Sequence, residues 1–120
     1  MMKGSDEMQL CQCKELKHLK VEADIGADPL WCNKCHSNLE ADEFPLSKTL
    51  KKELFEWIAT YGTWIDWETD GIVPNGVALE EQHNERGEEL TKKVKQELER
   101  KYEVVFSPST FARNMAMSKY

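Results

Sequence analysis

The spacing of hydrophobic residues changes near Pro45, which divides the chain into two patterns. Before Pro45, residues 18–25 (HLKVEADI) alternate polar and apolar side chains, as a half-buried strand does. Residues 26–29 (GADP) then indicate a turn, and residues 30–31 (LW) a second short strand. We interpret residues 38–44 as a third short strand. The first pattern therefore predicts a small β unit.

After Pro45 the apolar residues recur at spacings of three and four, which is the period of an amphipathic helix. Ser47 precedes this run and is a good N-cap, because its hydroxyl can accept a hydrogen bond from the first turn. Gly62 is the expected end of the helix, although the apolar period continues beyond it. The residues of this stripe are Leu46, Leu50, Leu54, Trp57, Ile58, Tyr61 and Ile65.

A second helix is predicted from about Val77 to Lys101, after a turn-rich connection over residues 66–76. Its apolar stripe includes one histidine, His83, and one glycine, Gly87. The other members of the stripe are Leu79, Leu90, Val94 and Leu98. Residues 102–106 (YEVVF) are predicted to form a strand.

These elements predict an α+β fold in which a small β unit packs with two α-helices and a C-terminal strand. The chain of 120 residues is long enough for one domain of ordinary size. We assign residues 1–45 to the β unit and residues 46–120 to the two-helix and strand region. The two regions are expected to fold as one cooperative domain, because residues 46–75 are too rich in aromatic side chains to stand alone in water.

The four cysteines form two close pairs, Cys11 with Cys13 and Cys32 with Cys35, separated by eighteen residues. Zinc prefers four tetrahedral thiolate or imidazole ligands, and a close pair lets one tight turn present two sulfurs to one ion. The gap between the pairs is long enough for a strand, a turn and a returning strand. We therefore predict one structural Zn²⁺ bound by all four cysteines, with no coordination position left for catalysis.

This arrangement over residues 11–35 resembles a zinc ribbon. The resemblance implies a structural, zinc-bound β unit and no particular function. The first pair departs from the common spacing, since only Gln12 separates its cysteines, and His18 or His36 is then a possible substitute ligand. If all four cysteines bind zinc, these two histidines are expected around the ligands or on the surface.

Two other cofactors match part of the cysteine pattern. An iron–sulfur cluster also takes four thiolates, and the spacing does not separate it from zinc. Residues 32–36 (CNKCH) match the C-x-x-C-H pattern of c-type haem attachment. Haem attachment of this kind normally requires export, and it would leave Cys11 and Cys13 without a role. Zinc accounts for all four cysteines.

The formal net charge of the chain is -6. We compared the net charge of residues 1–45, 46–75, 76–101 and 102–120. Residues 1–45 are the most negative of these segments, with nine acidic residues against five Lys. An acidic surface repels phosphate backbones, so a basic protein partner is favoured over nucleic acid. The first residues are polar and acidic with no apolar run behind them, and no segment is long enough to span a membrane. We therefore expect a cytoplasmic protein with reduced thiols.

Two further groups of residues are candidates for function. An aromatic cluster around the end of the first helix is expected to pack in the core; its members are Trp57, Tyr61, Trp64 and Trp67. Trp64 and Trp67 lie at or beyond the expected end of the helix, so they are expected to be its more exposed members and are a possible interaction surface, since Trp often anchors interfaces. His83 lies in the apolar stripe of the second helix and is expected to be a hydrogen-bonded histidine in the core or at its edge. Glu80 and His83 share one face of this helix with Gly87, whose missing side chain indicates a possible pocket.

No phosphate-binding loop, nucleophile elbow or H-E-x-x-H motif occurs, so an enzyme is not favoured. The sequence favours a small cytosolic zinc-binding protein that acts as a protein-interaction or regulatory module. One alternative is an inhibitor or immunity-type protein that binds a basic partner. Another is a nucleic-acid-associated zinc-ribbon adaptor, which only the class resemblance supports.

Overall fold

The computed structural model describes residues 16–99, 101–112 and 114. Within them the chain forms one four-stranded sheet, a two-stranded hairpin and two long helices. The strands of the large sheet are β1 (His18–Val21), β2 (Leu30–Cys32), β3 (Asn38–Leu39) and β6 (Glu103–Phe106). The hairpin consists of β4 (Ile65–Asp66) and β5 (Gly71–Ile72), and the helices are α1 (Lys48–Ile58) and α2 (Gly76–Glu97). The predicted α+β class is confirmed.

The large sheet has the strand order β3-β2-β1-β6. β1 runs antiparallel to β2, with Leu19 opposite Cys32, and parallel to β6, with Leu19 opposite Val104. The parallel pair requires a long crossover, and α1, β4, β5 and α2 all lie within it. β6 therefore joins strands that precede it by more than sixty residues in the chain.

Each strand buries alternate side chains, because neighbouring residues of a strand point to opposite faces of the sheet. The buried face packs with both helices in one hydrophobic core. The strand residues on this face are Leu19, Val21, Leu30, Cys32, Leu39 and Val104. The opposite face carries polar or partly exposed side chains, among them His18, Lys20 and Trp31.

Ser47 caps α1 as predicted, since its Oγ accepts a hydrogen bond from the Leu50 amide at 3.1 Å. The same hydroxyl donates to Glu97 Oε2 at 2.8 Å, so the start of α1 meets the end of α2. At the other end, Trp57 of α1 stacks on His83 of α2. The two helices are therefore antiparallel neighbours, and the second half of α1 faces the first half of α2.

Several predicted bounds are wrong. Residues 38–44 form a strand only over Asn38–Leu39, and Ala41–Glu43 form a 3₁₀ turn. α1 ends at Ile58, before Gly62, and α2 ends at Glu97 instead of Lys101. The connection predicted as turns contains the β4–β5 hairpin. No helix in the described part of the chain is long and apolar enough to cross a membrane.

Candidate functional site

A depression of about 490 Å³ lies between the second half of α1 and the first half of α2. Its apolar lining comes from Trp57, Leu79 and His83, of which Trp57 and His83 are almost completely buried. The polar lining is more exposed and consists of Glu53, Glu56, Thr60, Thr63, Gln82 and Arg86. We call this depression the α1–α2 groove.

His83 is held by hydrogen bonds and stacking inside the groove. The rings of Trp57 and His83 are 4.6 Å apart with their planes at 14°, and Trp57 Nε1 donates to the His83 carbonyl at 2.8 Å. The Thr60 hydroxyl donates to the Trp57 carbonyl at 2.7 Å, so its oxygen is the acceptor for His83 Nδ1 at 2.8 Å. This geometry assigns the proton of the neutral imidazole to Nδ1.

Burial lowers the pKa of His83 to about 4, and the nearby Glu80 carboxylate only partly opposes this effect. His83 is therefore uncharged at neutral pH. With Trp57 and Leu79 it forms the uncharged, apolar side of the groove.

The polar side of the groove contains one satisfied carboxylate and one that is open to solvent. Glu53 contacts Lys93 at 3.2 Å and Arg86 at 3.0 Å, and hydrogen bonds from these two cations lower the pKa of the Glu53 carboxyl. Arg86 is also 3.3 Å from Glu89. Glu56 is exposed, and no ion pair is found for it within the described residues. Glu56 is thus the carboxylate that a bound cation could reach.

The chain segment that contributes most of the groove is rich in negative charge. Residues 53–85 contain eight Asp or Glu and no Lys or Arg, whereas the whole chain has a net charge of -6. These residues form the second half of α1, the β4–β5 hairpin and the first half of α2, which lie at one end of the antiparallel helix pair. The expectation that residues 1–45 are the most negative part is wrong, because the segments used for counting divided this run.

The two tryptophans that were expected on one surface have different environments. Trp64 is 0% exposed and packs edge-on against His83 and Tyr61, so its predicted exposure is wrong. The chain turns back over Trp64, whose carbonyl accepts a hydrogen bond from the Val73 amide. Trp67 is 62% exposed at the turn of the hairpin. Its role in an interaction stays a prediction.

Glu80, His83 and Gly87 do not surround one pocket. The buried Glu80 carboxylate accepts hydrogen bonds from Ser109 Oγ at 2.8 Å and from the Ala112 amide at 2.9 Å. A Cβ at Gly87 would lie 2.4 Å from the Phe106 ring of β6 and 2.7 Å from the Trp57 ring. Aromatic side chains therefore fill the predicted notch at Gly87, and the groove lies beside His83, toward the hairpin end of the helices.

The second cysteine pair lies in a tight turn after β2. The Cys32 amide donates to the Ser37 carbonyl, and the Cys32 carbonyl accepts from the His36 amide, both at 2.9 Å. His36 has a left-handed backbone with φ of 64°. Cys32 is buried and Cys35 is exposed, with its sulfur 3.2 Å from Ser37 Oγ. The two sulfurs therefore differ in exposure, although they lie on one short turn.

Cys11 and Cys13 lie outside the described residues. Within residues 16–99, 101–112 and 114, no group of three or more His, Cys, Asp or Glu is placed to hold a metal ion. His18 Nδ1 is 3.1 Å from Glu103, and His36 Nδ1 is 3.3 Å from Lys20 Nζ. The zinc site therefore stays a prediction.

Sequence reasoning missed Glu53, Glu56, Gln82 and Arg86 as groove residues. The signal that identifies this region is the long run without Lys or Arg, because the run continues through both helices that form the groove. Gln82 and Arg86 give no signal of their own, since they look like ordinary solvated positions of a helix.

The fold and the groove define a class of protein, a small α+β domain with a mixed four-stranded sheet and a partly apolar groove between its two helices. The chain belongs to the Serratia CdiI immunity protein-like family, whose sequence profile matches residues 17–109. No curated protein matches the sequence. The matched range includes the whole sheet, both helices and the groove, and it begins after Cys11 and Cys13.

Proposed function

We propose that this chain is an immunity protein, which binds a toxin protein and keeps the toxin from acting. The family match over residues 17–109 carries this proposal. A protein of this kind acts through a binding surface, so it needs exposed, complementary groups and no catalytic apparatus of its own. The acidic end of the helix pair supplies such groups.

The partner in this proposal is a toxin with a basic surface. A run with eight acidic and no basic residues creates a negative potential that attracts a positive protein and increases the rate of association. The same potential disfavours nucleic acid, whose phosphates it repels. Cytoplasmic residence fits this proposal, and it also keeps the cysteine thiols reduced.

The direct test is growth rescue. The toxin domain from the same genome is induced in a bacterial host with the chain or with an empty vector. We expect the chain to restore growth and to co-purify with this toxin, while giving no protection against a toxin domain from an unrelated immunity pair. Growth arrest in the presence of well-expressed, folded chain would contradict the proposal.

We further propose that one structural Zn²⁺ is bound by Cys11, Cys13, Cys32 and Cys35. The turn after β2 supports this, because its two backbone hydrogen bonds hold Cys32 and Cys35 on one short loop. A closed thiolate site of this kind contributes to folding, since zinc binding offsets the cost of ordering the surrounding chain.

The sheet register brings the start of β1 close to this loop. β1 is antiparallel to β2, and the Asn33 amide donates to the His18 carbonyl at 2.8 Å. His18 therefore lies beside the loop that carries the second cysteine pair. Cys13 precedes His18 by only five residues, a length that spans at most ~17 Å when extended. Lys17, Lys20 and Lys34 supply positive charge near a site whose four thiolates and zinc sum to a negative charge.

Metal analysis of purified protein tests the zinc proposal. We expect one zinc per chain in the wild type and in His36→Asn, because Asn also accepts the left-handed backbone and His36 is not a ligand in this proposal. Cys32→Ser and Cys11→Ser should both lose the metal and lower the melting temperature. Zinc retained in Cys11→Ser, or lost in His36→Asn, would contradict the four-cysteine site. Iron in place of zinc would favour a cluster.

A further inference from the structure

We propose that the α1–α2 groove is the docking site for the toxin, and that its occupant is a toxin segment with an apolar side chain next to a Lys or Arg. This inference rests on the proposed immunity function and goes further, because it specifies the surface and the chemistry of the segment that it binds. Three observations lead to it.

The first observation is the apolar lining. Trp57, Leu79 and His83 are apolar or neutral, and the volume of about 490 Å³ lies within the range of ~300–1,000 Å³ usual for ligand pockets. The Trp57 and His83 rings are held in place by their stacking and by the hydrogen bonds of Trp57 and Thr60 to His83. A rigid lining loses little conformational entropy when a partner side chain enters. It therefore favours an apolar anchor.

The second observation is the position of the charges. Glu53 is neutralised by Arg86 and Lys93, whereas Glu56, one turn of α1 further along, is exposed. The hairpin and the first half of α2 add exposed acidic side chains at Glu68, Asp70 and Glu81. A cation beside the apolar anchor can pair with Glu56, and further basic residues of the toxin can face the hairpin.

The third observation is the layout of the surface. A buried apolar centre with a polar, more exposed border is the usual organisation of a protein–protein interface. A Cβ added at Gly62, the neighbour of the groove residue Thr63, would lie 3.3 Å from the exposed Trp67 ring. Trp67 is thus close to the groove in the chain and available as a second anchor.

The strong negative charge disfavours a second copy of this chain as the occupant, since two acidic ends would repel each other.

Binding of the purified toxin domain, measured by calorimetry with four forms of the chain, tests this inference. The forms are the wild type, Glu56→Lys, Leu79→Glu and the control Glu43→Lys. Glu43 is also exposed and lies in the 3₁₀ turn outside the acidic run, so both Lys variants change the net charge equally. Circular dichroism and the melting temperature establish that each variant is folded.

We expect Glu56→Lys to weaken binding about tenfold and Leu79→Glu about thirtyfold, as for interface residues of intermediate and high importance. Glu43→Lys should change the affinity by less than about threefold. If the wild type binds and Glu56→Lys binds equally well, the groove is not the docking site. Equal weakening by both Lys variants would also overturn the inference, because only net charge would then matter. If the wild type does not bind the toxin at all, the immunity function itself fails.

Sedimentation of the same proteins distinguishes another occupant. In our proposal the wild type and Leu79→Glu have the same oligomeric state when no toxin is present. A dimeric wild type that becomes a monomer in Leu79→Glu would assign the groove to a second copy of the chain and overturn the inference.

Discussion

At the scale of single residues, His83 shows how a polar side chain serves as part of an apolar surface. Trp57 covers one face of the ring, and the Thr60 hydroxyl oxygen accepts a hydrogen bond from Nδ1–H. Burial favours the neutral form and lowers the pKa of His83 to about 4. The sequence predicted a histidine on the apolar face of the helix, but the identity of its partners depends on α1 and could not be read from α2 alone.

The pKa of His83 predicts a loss of stability at acidic pH. The unfolded chain has the ordinary histidine pKa of 6.5, so between pH 6.5 and about 4 the unfolded state binds more protons than the folded state. The free energy of unfolding should therefore fall as the pH drops through this window, by at most about 3 kcal/mol from this residue, and level off below it.

Urea unfolding of the wild type and of His83→Asn across this pH range measures the effect. Asn keeps a hydrogen-bond donor for Thr60 but does not titrate. We expect the difference between the two proteins to change with pH, with the wild type losing more stability toward pH 4. A constant difference across the range would show that His83 does not titrate differently in the two states.

At the scale of elements, Gly87 is the point where α1, α2 and β6 meet. The Trp57 ring and the Phe106 ring both occupy the space where a Cβ would project. Hydrogen bonding to the His83 carbonyl holds Trp57 in place, so this ring cannot move freely. Glycine lowers helix propensity by about 1 kcal/mol relative to Ala, and the close packing of three elements compensates for this cost.

Gly87→Val should destabilise the protein by about 1–3 kcal/mol, because the added methyl groups overpack the contact with Trp57. Ala78→Val is the matched control, since Ala78 is an exposed residue of the same helix and a β-branched residue there costs well under 1 kcal/mol. Chemical unfolding of both variants measures the two effects. Helix propensity alone would make Gly87→Val neutral or slightly stabilising, so a Gly87→Val protein that is no less stable than the wild type would contradict the packing role of this position.

Elements with a long, regular period could be predicted from the sequence, and short ones could not. The apolar spacing and the Ser47 cap identified both helices, because each extends over several turns. β4 and β5 were missed, since two-residue strands in an acidic, turn-rich stretch have no detectable alternation. The burial of Trp64 was missed for a related reason, because it depends on the chain returning at Val73.

At the scale of the whole molecule, one end of the helix pair differs from the rest of the protein. The chain-wide net charge of -6 hides a stretch, residues 53–85, whose own net charge is -8. The antiparallel arrangement of α1 and α2 places this segment at one end of the helix pair, and the α+β pattern alone does not predict that arrangement. Membership of an immunity protein-like family gives this surface its proposed purpose, the binding of a basic toxin.

The central claim is that the chain forms a complex with a basic toxin domain through this acidic end. The most direct measurement is a calorimetric titration of the chain with the toxin domain from the same genome, at low and at high salt. We predict a one-to-one complex whose affinity falls as salt rises, because salt screens the attraction between exposed charges. The absence of a complex at low salt, or an affinity that does not depend on salt, would contradict the account.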